Sequence, residues 1–136
     1  MNFIAAQLIK HLEEEEAFWV FTCLVETLLP LDYYQHMAGV LIDQEVFYEF
    51  FKTKLPKLHK HFNRLEFDPK LVIFQWFVCL FSSFLHQSVS LKVLDYFFLK
   101  GINVIFQTAM GVFILLQKKL LSIMDFGKQI TFRRTV

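Results

Sequence analysis

Proline and glycine are scarce in this chain of 136 residues, at three and four respectively, which argues against a turn-rich all-β protein. Cys23 and Cys79 are its only cysteines, too few for a disulfide-stapled mini-scaffold. Neither sign of charge dominates, because 14 Lys plus Arg face 13 Asp plus Glu, a formal balance of +1. That balance excludes a nucleic-acid binder resting on bulk basicity, and an acidic solvating tail as well. Gly39, Gly101, Gly111 and Gly127 stand alone, so no glycine loop is available to cradle a phosphate. The Gly-x-Ser-x-Gly elbow of serine hydrolases is missing. No basic stretch precedes a cleavable apolar run, so no secretory signal peptide is expected.

Apolar side chain is abundant: 55% of residues are hydrophobic and 18 are Phe. Disorder and low complexity are excluded by that composition. The length suits one domain. A chain of this size folding alone buries only about 68–70% of its unfolded surface. So much apolar side chain therefore predicts a surface partly covered by lipid, by a partner or by a further stretch of the same domain.

The hydrophobic period is helical nearly throughout, and the breakers cut it into segments of ordinary length. Residues 1–12 read as a first helix with Phe3, Ile4, Leu8, Ile9 and Leu12 as its apolar stripe. Glu13 to Glu16 open a second helix, where carboxylates suit the positive end of the macrodipole. It carries Phe18, Trp19, Phe21, Leu24, Val25 and Leu28 and stops at Leu29-Pro30. After Gly39, the residues Ile42, Val46, Phe47, Phe50 and Phe51 resume the period. Pro56 starts the next helix, with Leu58, Phe62 and Leu65 buried. Asp68-Pro69 is the clearest start signal, a carboxylate cap before proline, and predicts a helix over 69–85. Ser88 is a candidate cap for a further helix closed by Lys100-Gly101. Residues 102–118 form another, and 125–134 a weaker last one. The fold class is all-α, in one unit.

Two uncharged runs, 71–91 and 102–117, invite a rival reading as spans of a small helical membrane protein. Polar residues crowd the second half of the first run, and Asn103, Gln107, Thr108 and Gln117 interrupt the second. A buried central helix explains the pattern as well.

The residues offer no self-sufficient active site. His59 and His61 are two apart and point to different faces of a helix, whereas metal pairs want a spacing of three or four. His11, His36 and His86 are solitary, so no metal site is expected. Cys23 and Cys79 lie in apolar runs and read as buried, inert thiols. Asp95 is the one carboxylate in an otherwise apolar helix, and a buried carboxylate must be paired; a structural partner is expected for it.

Six stretches stand in order along the chain. They are Met1-Asn2-Phe3-Ile4-Ala5, Glu14-Glu15-Glu16-Ala17-Phe18-Trp19, Asp43-Gln44-Glu45-Val46-Phe47, Lys54-Leu55-Pro56-Lys57-Leu58, Gln75-Trp76-Phe77-Val78-Cys79-Leu80-Phe81 and Asp95-Tyr96-Phe97-Phe98-Leu99-Lys100-Gly101. As an ordered set they resemble the TBC family of Rab GTPase-activating proteins, with growth-hormone-regulated TBC proteins as the nearest subgroup. The first stretch is similar to the tail of the family's Tyr-x-Gln-Gly-Met-Asn-Phe-Ile motif. The last is similar to its Trp-Asp-x-Phe-Phe-x-Glu-Gly box, with Leu94 for the tryptophan and Lys100 for the glutamate. The resemblance covers residues 1–126.

The resemblance implies an all-helical, V-shaped domain that regulates an enzyme, accelerating GTP hydrolysis on Rab GTPases in membrane traffic. Two residues do this in the family: an arginine from Ile-x-x-Asp-x-x-Arg neutralises charge, and the glutamine of Tyr-x-Gln positions the water. The chain begins two residues past that glutamine, so neither finger can be carried onto it. Gln7, Arg64, Arg133 and Arg134 are not at motif positions. The expectation is an N-terminally truncated TBC domain over 1–136, catalytically incomplete and acting at most by binding. Met1 and Asn2 are motif-adjacent, Gln75, Trp76, Asp95 and Gly101 are structural motif residues, and no residue is catalytic. The implied partner is a Rab-family small GTPase, which itself holds the GTP and magnesium; no cofactor is implied for this chain, and no nucleic acid. The implied location is cytoplasmic and peripheral on endomembranes, through the partner.

Overall fold

A computed structural model of the chain describes residues 2–124. Every regular element among them is helical: α1 (Asn2–Ile9), α2 (Glu14–Cys23), α3 (Ala38–Lys54), α4 (Pro56–Arg64), α5 (Lys70–Val78), α6 (Gln87–Lys100) and α7 (Asn103–Leu121), with a π-helical turn over Leu24–Leu28. The last helix expected, over 125–134, lies outside the described residues, as does Met1.

Local signals account for several boundaries. Glu14, Glu15 and Glu16 occupy the first turn of α2, where their charge meets the unsatisfied N–H groups. At its far end the chain must leave helical geometry before Pro30, which disfavours the α region at the preceding residue. It does so through the π turn: the Leu29 N–H reaches back five residues to the Leu24 carbonyl at 3.1 Å, and Leu29 is extended. Gly39 lets the first turn of α3 lie on Tyr33, because a Cβ there would stand 2.7 Å from the Tyr33 Cα. Pro56 is the first residue of α4. Asp68 does cap α5, its Oδ1 accepting the Lys70 N–H at 2.9 Å. Gly101, at φ 72°, closes α6 and returns its N–H to the Phe97 carbonyl at 2.8 Å.

Two boundaries differ from the reading of the sequence. His86, not Ser88, caps α6, its ring nitrogen accepting the Ser88 N–H at 3.4 Å. More consequentially, the helix predicted over 69–85 ends at Val78. The hydroxyls of Tyr33 and Tyr34 donate to the Phe77 and Val78 carbonyls at 3.5 and 3.1 Å. They take over acceptors that a continuing helix would have used. Leu80 and Phe81 then turn through left-handed geometry at φ 45° and 63°. Such backbone costs of order 1–3 kcal/mol per residue, which the complete burial of both side chains offsets at roughly 1.5–3 kcal/mol each.

This break removes the first proposed membrane span. Residues 71–91 hold most of α5, a turn and the start of α6, and a nine-residue helix rises only about 14 Å against a hydrocarbon layer of about 30 Å. Among the described residues only α7 is long and apolar enough to cross a membrane, but its Val104, Ile105, Ala109, Val112, Phe113 and Leu120 are spent in the core.

The core is aromatic. The Phe113 ring lies 4.8 Å from Phe51, 5.1 Å from Trp76, 6.2 Å from Phe47 and 6.4 Å from Phe62, measured between centroids. These five side chains join α3, α4, α5 and α7, and all are buried. The outer faces are less covered than the apolar periodicity suggests. Ile4 and Leu8 of α1 are buried, while Phe3, Ile9, Phe18, Trp19, Ile42, Val46 and Phe50 remain exposed.

Candidate functional site

The motif resemblance directs attention to the N-terminal end of α1, where Asn2 is exposed. The orientation of this helix is set by one polar side chain within its apolar stripe. Gln7, 6% exposed, donates from Nε2 to the Ser90 Oγ at 2.5 Å and to the Gln87 carbonyl at 3.4 Å. The side chain of Gln87 in turn meets the His11 Nε2 at 3.1 Å. These bonds tie α1 to the first turns of α6, across 83 residues in the case of Ser90. Gln7 Oε1 is buried without a partner among the described residues, as are the hydroxyls of Ser82 and Ser83. A cleft of about 180 Å³ opens beside Gln7, lined also by Phe3, Lys10 and Ser82. Its lining offers two amides, a hydroxyl and one lysine, and no carboxylate or imidazole.

A second polar cluster joins α3, α4 and α5. Lys70 Nζ bonds both carboxylate oxygens of Glu45, at 2.6 and 2.8 Å, and lies 4.7 Å from the centre of the Tyr48 ring. The hydrogen bond to Glu45 holds the Lys70 ammonium above its ordinary pKa. The Tyr48 hydroxyl meets His59 Nε2 at 3.1 Å. Gln44 Nε2 donates to the Lys70 carbonyl at 2.5 Å. These contacts fasten three helices together and leave no reactive group unengaged. Burial pushes the hydroxyls of Tyr33 and Tyr34 well above the usual phenol range, so both stay protonated as donors. Burial likewise raises the Asp43 carboxyl.

The sequence-derived site residues do not converge. Trp76 is buried in the core, Gln75 is exposed on the same helix, and Gly101 serves as a helix end. Asp95 corrects the expectation of a buried, paired carboxylate: it is exposed and has no hydrogen-bond or ion-pair partner among the described residues. α6 buries Ser90, Val93, Leu94 and Phe97, and Asp95 falls outside that stripe. Asp95→Ala should therefore change unfolding free energy by no more than about 0.5 kcal/mol, the usual range for an isolated surface substitution. A loss above 1 kcal/mol in urea denaturation would contradict its placement. Cys23 is a second correction, exposed rather than buried, whereas Cys79 is buried as expected. Among the described residues no three His, Cys, Asp or Glu side chains gather as a metal site. His61 instead meets the Ile123 carbonyl at 2.9 Å.

Gln7 and Ser90 escaped the reading of the sequence, although a Gln three residues after Ile4 and one before Leu8 was a visible signal of a buried amide. A Tyr-x-Gln triplet recurs at Tyr33-Tyr34-Gln35, without the Gly-Met-Asn that follows it in the motif. Its tyrosines cap α5 and Gln35 is exposed, so it is part of a structural turn.

Comparison with known proteins gives consistent matches. The family model of the Rab-GTPase-TBC domain matches residues 1–121. The chain is 34% identical to human TBC1 domain family member 2B over 126 residues, covering 92% of this chain and 13% of that protein. It is 35% identical to human TBC1 domain family member 2A over 127 residues, 92% of this chain and 14% of that protein. A Xenopus laevis small G protein signaling modulator 3 homolog is 34% identical over 121 residues, 88% of this chain and 16% of that protein. The chain thus spans about one seventh of the length of these relatives. The crystal structure of the Chlamydomonas flagellar RabGAP TBC domain superposes with a TM-score of 0.85 at 29% identity, over 98% of this chain and 45% of that one.

Proposed function

The chain belongs to the Rab-GTPase-TBC domain family, and from that premise we propose that it binds Rab-family small GTPases without itself supplying the catalytic fingers. The match over residues 1–121 carries the reading. Phosphoryl transfer to water needs neutralisation of developing charge and a positioned nucleophile. Within these 136 residues no Ile-x-x-Asp-x-x-Arg occurs. Gln7 is buried against Ser90, and Arg64 stands exposed in the last turn of α4. Neither lies in a Tyr-x-Gln or Ile-x-x-Asp-x-x-Arg motif. GTP and magnesium belong to the partner, and any residence on endomembranes follows from the partner's own attachment.

Fluorescence anisotropy against a panel of Rab proteins tests the proposal. At least one Rab should bind more tightly when loaded with a non-hydrolysable GTP analogue than with GDP. A panel that shows no binding in either nucleotide state would sink it.

A further inference from the structure

A groove of about 790 Å³ runs between α3 and α7. Val46 and Phe50 form one wall at helical spacing, and Phe106 and Ile114 form the other. Val46, Phe50 and Ile114 are each about half exposed, at 44%, 52% and 54%. The two helices run in the same general direction, because the Phe47 ring meets Phe106 at 6.0 Å and the Phe51 ring meets Phe113 at 4.8 Å. Asp43 therefore closes the groove at one end and Lys54 at the other. They are eleven positions apart on α3, about 16 Å of helix or three turns.

The ends are charged and unpaired. Asp43 is partly buried yet accepts no hydrogen bond and meets no cation among the described residues. Lys54 is exposed and likewise without an ion pair among them. Partial burial of a carboxylate without a cation carries a cost, and an occupant that brings a cation to it relieves that cost. The occupant must also be apolar along three turns, which is the pattern of helix-in-groove recognition. The order of the charges sets its direction. A helix favours acidic side chains in its first turn and basic ones in its last. Only an antiparallel helix puts its first turn at Lys54 and its last at Asp43.

We propose that this groove docks an amphipathic α-helix of a partner protein, antiparallel to α3 and α7, with a last-turn cation on Asp43 and a first-turn carboxylate on Lys54. No residue of α1 lines this groove, and its test uses a peptide, so it is read separately from the Rab-binding assay.

The probe is a synthetic helical peptide of about four turns, acetylated and amidated, with leucines at i, i+3, i+4, i+7 and i+11 spacing, Glu in its first turn and Lys in its last. Anisotropy with the full chain should show saturable binding. Asp43→Lys should weaken it at least about tenfold, that is about 1.4 kcal/mol, and a peptide with Glu in place of its last-turn Lys should recover the loss. Lys54→Glu, at an exposed position, gives the reciprocal swap with a first-turn Lys peptide and protects the test against misfolding of the Asp43 variant. Four outcomes overturn the proposal. The peptide fails to bind the folded chain, or binds with no response to either swap. Arg133→Ala with Arg134→Ala raises peptide affinity, which makes the chain's own tail the occupant. Sedimentation shows the peptide dissociating a dimer, which makes a second copy the occupant.

Discussion

In single-turnover assays with GTP-loaded Rab proteins, saturating amounts of this 136-residue chain are expected to leave hydrolysis within about tenfold of the intrinsic rate. An arginine finger alone is worth about 10³–10⁵ in rate, equivalent to about 4–7 kcal/mol of barrier. No residue among those described stands in Ile-x-x-Asp-x-x-Arg or in the full Tyr-x-Gln-Gly-Met-Asn motif. Arg64 is at the exposed end of α4 and Gln35 in an exposed turn, while the Gln7 amide is held by Ser90 and Gln87. Binding without acceleration is the joint expectation, so the same Rab should be scored in both assays. A chimera joining a TBC-family N-terminal half, with both motifs, to residues 2–124 should recover the missing rate. Acceleration above a hundredfold by the chain alone would overturn the finger argument, since residual positioning effects are not asked to supply so much.

The second large effect is expected in stability. Phe113 is 3% exposed and its ring contacts Phe47, Phe51, Phe62 and Trp76. Phe113→Ala should lower the unfolding free energy by about 3–5 kcal/mol, the cost of a large aromatic removed from a packed site. Domains of this size hold only about 5–15 kcal/mol in total, so the variant should be partly unfolded or melt far below the parent. Urea denaturation followed by tryptophan fluorescence reads this directly, because Trp76 lies against the same ring. Phe113→Leu, which refills most of the space, should lose much less. A loss under 1 kcal/mol for the alanine variant would mean that the core can collapse onto the gap.

What the sequence disclosed, and what it withheld, follows the range of the forces involved. Asp68, Pro56 and Gly101 act on backbone groups within a few residues, and each marked its boundary correctly to within about a turn. The end of α5 depends on Tyr33 and Tyr34, 44 residues away, and no local pattern at Val78 could announce it. Asp95 was misplaced for a different reason. Tyr96 and Leu99, on the same helix, are exposed, so apolar neighbours in sequence gave the false impression of a buried segment. Of the candidate site, the sequence supplies only the motif resemblance at Asn2, an expectation that rests on residue identities. The Gln7–Ser90 bond and the α3–α7 groove were not legible there, since both arise from tertiary packing.

The Gln7–Ser90 bond has a consequence for how the protein is made. Its two partners are 83 residues apart, and synthesis at about 5–20 residues per second separates their appearance by about 4–17 s. Through that interval α1 has no α6 to dock against, and the neighbouring α2 presents Phe18 and Trp19 outward even in the finished fold. Until then the nascent α1–α2 pair is apolar and lacks its α6 partner. Chaperone demand should be high while α1 and α2 await α6, and should ease once the region around residue 90 has emerged.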